Sequence, residues 1–311
     1  VADGSGFPAQ ALDIPPLTVV VCTHARPHYL AACLRGLDGQ DLPGLQVIVV
    51  DSASPPGPAA EIRDLAAAAG AELIRAEKPG LSLARNLGLV SARAQWTAWL
   101  DDDAVPEPDW ARRLVDATAS LPEEAAALGG RILPRWEAPL PAWWPESLRG
   151  VLTIIEWEGS GEPGHGTPAG VAVYGANMAF RTSALRAIGG FPEELGRVGK
   201  RLLSGEEVEA LDRLCARGGR VFYEGGVTVR HSIQRERLRP EWLLSRIHWQ
   251  GATDALRHRR HGGAKRAPGA ALKLLVQAPL LLWPQHSASL LRARCGAAYN
   301  LGYLRGALLS A

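Results

Sequence analysis

From Leu17 onward the chain alternates two hydrophobic periods. LTVVVC (17–22), QVIVV (46–50), AELIR (71–75) and WTAWL (96–100) are short β-rich apolar runs that read as buried strands. Between the first two, Leu30, Cys33, Leu34 and Leu37 recur at helical spacing. A second stripe, Ile62, Leu65, Ala66 and Ala69, follows Pro58, a residue suited to opening a helix. Residues 82–94 and a stretch from about Pro108 are the next expected helices. Such alternation predicts a parallel sheet wrapped on both faces. Ligands of these sheets bind beyond the carboxyl ends of the strands. That collects the loops 23–27, 51–57, 77–82 and 101–106, where the polar and glycine residues of this half concentrate, on one rim.

After Gly129 the alternation lapses. Residues 134–170, including LPRWEAPLPAWWPE, predict a long irregular segment with one hairpin or short helix, and its aromatic density argues against disorder. Strands and helices return over 174–232, and the chain from Pro240 is mainly helical. The expected organisation is a flexible segment 1–16, a first half 17–130, a second half 131–239 of the same domain, and a helical extension 240–311.

Composition narrows the function classes. With 34 Lys and Arg against 32 Asp and Glu, the formal charge of +2 supplies no field for nucleic acid, so a partner is recognised locally. Cys22, Cys33, Cys215 and Cys295 lie far apart without a CxxC pair, which fits neither a structural zinc site nor a disulfide framework and suits a reducing cytosol. Residues 1–16 lack the basic start and apolar core of a signal peptide. ALKLLVQAPLLLW (271–283) is interrupted by Lys273, Gln277 and Pro279 and is too short to span a bilayer. A cytoplasmic protein is expected.

Three carboxylates, Asp101, Asp102 and Asp103, stand directly behind the strand WTAWL. Neighbouring carboxylates repel, so either one is protonated or a cation sits among them. Hard oxygen ligands at a strand end suit Mg²⁺ or Mn²⁺, and the alternative is an acidic turn capping the next helix. In GLSLARN, Arg85 and Asn86 fall in the first turns of a helix, a place that favours phosphate; a salt bridge from Arg85 to one of the aspartates is the other reading. In SGEEVEALDRL, a buried face of Val208, Leu211 and Leu214 leaves Glu206 and Glu207 near the rim, as acid–base groups or as acids complementing the helix dipole.

VVVCTHARP, VVDSAS, GLSLARNLGL, WLDDDAVPEPDW, YGANMAFRTSALRAIGGF and GEEVEALDRLCARGGRVFYEGGVTVRH resemble, in order and spacing, the signature segments of family 2 glycosyltransferases with the GT-A fold. The resemblance covers residues 17–232. It implies a Rossmann-like mixed sheet with helices on both faces, followed by the helical extension. It also implies a metal-dependent, inverting transferase of hexosyltransferase type. Such an enzyme carries a sugar from a nucleotide diphosphate sugar, UDP-sugar favoured, to a hydroxyl acceptor: a glycan, a lipid-linked glycan or a small-molecule glycoside.

By the same resemblance Asp51 binds the nucleotide base with Thr23 beside it, and Arg85 and Asn86 serve the nucleotide. Asp101 lies near the ribose or the water shell of the Mn²⁺ or Mg²⁺ ion, and Asp103 ligates the ion directly. Asp102 is able to substitute in either role, and His231 adds a further ligand. Glu207 is the base, with Glu206 next in line. Asn177 bonds a sugar hydroxyl or holds its turn. Trp143 and Trp144, with Trp136 and Trp157, stack on sugar or acceptor, or pack a small subdomain. The basic run RHRRHGGAKR (257–266) and the series Leu290, Leu291, Ala298, Leu301, Leu304 and Leu308 suit peripheral membrane contact, a homodimer interface or a lid. Two other functions remain at this stage. A nucleotidyltransferase would need a glycine-rich phosphate loop near the N-terminus, which is missing, and an inactive nucleotide-sugar-binding module would have lost the aspartates or the base.

Overall fold

The computed structural model describes residues 14–197, 201–260, 267–281 and 288–308. The first sixteen residues, apart from 14–16, and positions 261–266 of the basic run therefore lie outside the described residues. The predicted alternation is found as β1 (Thr18–Thr23), α1 (Pro27–Asp38), β2 (Gln46–Asp51), α2 (Pro56–Ala68), β3 (Glu72–Arg75), α3 (Leu81–Ser91) and β4 (Trp96–Asp101). These four strands pair in parallel in the order β3-β2-β1-β4. Along β1 the side chains alternate faces as the strand period requires: Val19 and Val21 enter one core with Leu30, Leu34 and Ile62, while Val20 enters the other with Ile48, Trp99, Phe180 and Phe191.

The rest of the sheet breaks the parallel alternation of the first half and gives the mixed sheet that the resemblance implies. After β5 (Ala104–Pro106) and α4 (Trp110–Ser120), β6 (Ala125–Trp136) leads into the irregular segment, which holds a 3₁₀ turn at Glu146–Leu152 and the short β7 (Ser160–Gly161). The chain returns as β8 (Met178–Arg181), antiparallel to both β4 and β6. The reason is connectivity: no crossover helix intervenes between β6 and β8, and without one a strand comes back antiparallel. After α5 (Thr182–Ala187) and α6 (Glu206–Cys215), β9 (Arg220–Ile233) pairs in parallel with β6 and antiparallel with β5. The sheet is mixed, in the order β3-β2-β1-β4-β8-β6-β9-β5, with the short β7 pairing antiparallel to β9 off this path.

The buried face of α6 also differs from the expected Val208–Leu211–Leu214 stripe. Leu214 of that stripe is buried, but Glu206, Glu209 and Ala210 join it in place of Val208 and Leu211, Glu206 paired with buried Arg85 and Glu209 with the partly exposed Arg213.

The tail forms α7 (Pro240–Arg260), α8 (Ala267–Leu281) and α9 (Ala288–Leu308). Helices α7 and α9 touch backbone to backbone, since a Cβ on Gly302 would run into the His248 carbonyl and one on Gly251 into that of Tyr299. The predicted apolar series of α9 is split: Leu291 and Ala298 are buried, whereas Leu301 and Leu308 are exposed. A third core, with Trp144, Leu152, Ile233, Leu243 and Leu291, fastens α7 and α9 to the sheet domain. Among the described residues no helix is long and apolar enough to cross a membrane. All four cysteines are free.

Candidate active site

Two tight loops build the rim above β1 and β2. Ala25 (φ 55) and Ala53 (φ 56) adopt the left-handed conformation, at a cost of order 1 kcal/mol each. The loops hold each other there: Ala25 N donates to Ser54 Oγ at 2.8 Å, and His24 Nδ1 lies 2.7 Å from the Ser52 carbonyl. Asp51, at the end of β2, accepts from Ser54 N at 2.9 Å and pairs with Arg75. Beyond the rim is a cleft of about 620 Å³ whose lining includes Thr23, Ser52, Arg85, Asp101, Asp103 and Glu207.

Each aspartate behind β4 has its own partners. Asp101 faces Arg85 Nη2 at 3.4 Å. Asp102 is fully buried, accepting from Thr23 Oγ1 at 2.7 Å and pairing with Arg26. Asp103 Oδ2 accepts from Arg26 Nη1 at 3.0 Å, Arg237 Nη2 at 2.9 Å and Gln234 Nε2 at 2.8 Å. Its Oδ1 faces His231 Nε2 at 3.3 Å. The register of β9 on β5 causes that approach: His231 lies opposite Ala104, and Ser232 N donates to the Asp103 carbonyl at 2.8 Å.

The electrostatic consequences differ from one aspartate to the next. Burial pushes the Asp102 carboxyl up to about 7; Arg26 opposes the shift and the Asp103 charge adds to it. Burial would raise Asp103 as well, but His231, Arg237 and Arg26 outweigh it and hold that carboxyl well below the usual range. The repulsion foreseen in the sequence is therefore opposed by guanidinium charge on Asp102 and Asp103, while burial favours the protonated form of the middle residue.

Asp101, Asp103 and His231 present ligand atoms that all lie within 4.8 Å of one another. Asp103 Oδ1 and His231 Nδ1 are buried without a hydrogen-bond partner, so two carboxylates and an imidazole with unspent acceptors fit a divalent cation. Asp102 stands outside this group, its oxygens taken by Thr23 and Arg26.

Arg85 joins this end of the cleft to α6. Only 3% exposed, it donates from Nη1 to Glu206 Oε1 at 2.6 Å and from Nη2 toward Asp101. Its salt bridge to an aspartate, one of the two sequence readings, is thus present. Gly175 of the YGAN segment makes room for it, because a Cβ there would strike Nη2. Glu207, one residue along α6, lines the cleft with Oε2 unpartnered. Burial and then the Glu206 charge push its carboxyl up to about 7, against the pull of Arg85.

Four of the residues singled out in the sequence make internal contacts. Asn86 Nδ2 donates to the Phe191 carbonyl and its Oδ1 accepts from Phe191 N, both at 2.8 Å, so the side chain fixes a turn. Asn177 accepts from Trp110 Nε1 at 2.9 Å and donates to the carbonyls of Arg131 and Val227, which uses its amide to lock the sheet. Trp144 is buried in the third core and Trp143 packs beside it, outside the lining of the cleft. Sequence reasoning gave no role to Arg26, Gln234, Arg237 or Arg246. The signal present for the first three was position alone: they occupy the loop after β1 and the turn directly after His231.

Residues 18–187 match the family model described as Glycosyl transferase family 2. With its mixed sheet and rim cleft, the chain belongs to the family 2 glycosyltransferases and has the GT-A fold. A glucosyl-dolichyl phosphate glucuronosyltransferase of Haloferax volcanii is 32% identical over 176 residues, covering 56% of this chain and 55% of the relative. The succinoglycan biosynthesis protein ExoM of Rhizobium meliloti is 27% identical over 266 residues, 79% of this chain and 77% of ExoM. The match thus spans about half of the first relative and about three quarters of the second. Among solved structures, a mannosyltransferase of Pyrobaculum calidifontis in complex with GDP-Man and Mn²⁺ superposes with a TM-score of 0.58 at 20% identity, over 92% of this chain and 87% of that one. TarS 1–349 of S. aureus in complex with UDP gives 0.53 at 16% identity, over 92% and 89%.

Proposed function

We propose that this protein transfers a sugar, with inversion, from a nucleotide diphosphate sugar, UDP-sugar favoured, to a hydroxyl acceptor. The observation that carries the reading is Arg85, whose single buried guanidinium joins Asp101 of the aspartate cluster to Glu206 of α6 in one cleft. Glu206 is held in an ion pair by Arg85, whereas Glu207 lines the same cleft without an ion pair among the described residues. Glu207 is therefore the base: its carboxylate takes the acceptor proton as the hydroxyl oxygen bonds to the anomeric carbon and the bond to the nucleotide diphosphate breaks. A Mn²⁺ or Mg²⁺ ion held by Asp101, Asp103 and His231 would neutralise charge on the departing diphosphate. Arg26 and Arg237 keep Asp103 ionised for that role. Asp51, Thr23 and Ser52 frame the nucleotide end, where the two rim loops are tied together.

The same reading extends to location. Leu272, Leu275 and Val276 project from one face of α8 and are exposed, and residues 240–311 carry ten Lys and Arg against two Asp and Glu. An apolar face within a basic region suits peripheral contact with an anionic membrane and, through it, a lipid-linked acceptor.

Calorimetric titration with UDP, GDP and dTDP, each with Mn²⁺ and with chelator, tests the donor site. Metal-dependent binding of one nucleotide, lost in Asp103→Ala, is expected. Absence of binding by all three would leave the aspartates as a structural turn.

A further inference from the structure

Helix α7 places Arg246 and Arg257 in the wall of the cleft, and Arg197 joins them from the loop after Phe191. The arginines of this cleft fall into two sets. Arg26, Arg85, Arg237 and Arg257 each have a carboxylate: Asp102, Glu206, Asp103 and Asp212 respectively. Arg246 and Arg197 form no ion pair among the described residues. Arg246 Nη2 donates to the Ser204 hydroxyl at 3.2 Å, while Nη1 is buried without a hydrogen-bond partner. Burial and then the Arg197 charge lower its pKa to about 10, against the pull of Glu207, Glu206 and Asp254.

Arg246 is half-buried with Nη1 sealed off and unpartnered, a costly arrangement for a guanidinium, and the exposed Arg197 adds a second positive charge to the same wall. Glu207 and Arg246 both act electrostatically on Tyr174, which places Arg246 at the Glu207 end of the cleft. The guanidinium fork matches phosphate oxygens, and the two charges match a phosphate monoester better than a singly charged carboxylate. We propose that Arg246 and Arg197 form an anion subsite for the acceptor, so that the acceptor of this protein carries a phosphate group near its reacting hydroxyl. The proposal rests on the assignment of Glu207 as base. It extends that assignment by naming the acceptor's chemistry. Arg197 also acts on Arg237 at the Asp103 end, so the donor diphosphate is the competing occupant.

Filling the donor site first separates the two. The full chain, saturated with Mn²⁺ and its preferred nucleotide, is titrated calorimetrically with methyl phosphate and with dodecyl phosphate. The wild-type protein is expected to bind, and Arg246→Gln to weaken binding by on the order of tenfold, leaving nucleotide affinity within about twofold. Arg246→Lys, which keeps the charge without the fork, should recover part of the loss, and an unchanged melting temperature shows that each variant is folded. Equal affinity for the two esters indicates a soluble phosphorylated acceptor; tighter binding of the dodecyl ester indicates a lipid-linked one. Failure of the loaded wild-type protein to bind either ester overturns the proposal. So does a parallel loss of nucleotide affinity in Arg246→Gln, which would assign the arginine to the donor. Should no nucleotide bind at all, the donor reading has failed on its own; phosphate is then titrated alone, and the same dependence on Arg246 is required.

Discussion

At the scale of single residues, Arg85 and Glu207 show how one cleft sustains opposite charge states. Arg85 is the only partner of Glu206 among the described ion pairs. Replacing it with Met strands a buried carboxylate, so Arg85→Met should lose about 3 kcal/mol in urea unfolding, together with activity. Gly175→Ala is the milder version: the added methyl displaces the Arg85 guanidinium, so kcat should fall and the melting temperature should drop by less than in Arg85→Met. Glu207→Gln should keep nucleotide affinity and lose transfer by on the order of a hundredfold or more. Because the Glu207 carboxyl is raised to about 7, the wild-type rate should drop as pH falls below 7, with the base protonated. The sign for stability is the reverse. The folded state holds that proton more tightly than the unfolded chain, so this group costs stability progressively as pH rises from the ordinary carboxyl range to 7. Glu207→Gln should therefore melt higher than wild type at pH 8 and equally at pH 4, a comparison that scanning calorimetry makes directly.

At the scale of elements, the strand ends were legible and the helix faces less so. LTVVVC, QVIVV and WTAWL are apolar on both faces because both faces are covered, and this fixes them as central strands from composition alone. The stripe on α6 differs because Glu206 is buried against Arg85, distant in sequence, and Glu209 against Arg213 one turn along and Arg257 of α7, whereas periodicity scores a glutamate as solvent-facing. Helix α9 differs too: its tightest contact with α7 runs through Gly302 and Gly306, which no hydrophobic count detects. Gly302→Leu should force α9 off α7 and lower the melting temperature by several degrees, while nucleotide binding at the β1–β4 rim persists; a simultaneous loss of binding would show that the tail supports the donor site too.

Over the whole molecule, charge is unevenly spread. A net +2 chain holds ten basic against two acidic residues beyond Pro240, so the remainder is net acidic. That basic region includes α8, whose Leu272, Leu275 and Val276 are exposed among the described residues. In flotation assays the protein should bind vesicles containing anionic lipid and ignore zwitterionic ones, and raising the salt to 1 M should release most of it. Leu275→Glu should abolish binding without altering transfer to a soluble acceptor. Equal binding to both vesicle types would contradict the electrostatic part of this reading.

The sequence by itself determined the strand–helix alternation of the first half, the rim on which the loops gather, and the order of motifs that identified the family. These are local properties, written in hydrophobic period and in the residues that follow each strand. Only the tertiary structure decided the reversal of β8, since strand direction depends on the connection rather than on the strand. Only it brought His231 onto Asp103 across the β5–β9 register, and only it placed Arg85 between Asp101 and Glu206. It also showed the internal contacts of Asn86, Asn177, Trp143 and Trp144. The physical reason is common to all of these. A polar side chain's role is set by which partner satisfies it, and here those partners arrive from elements separated by as many as 134 residues.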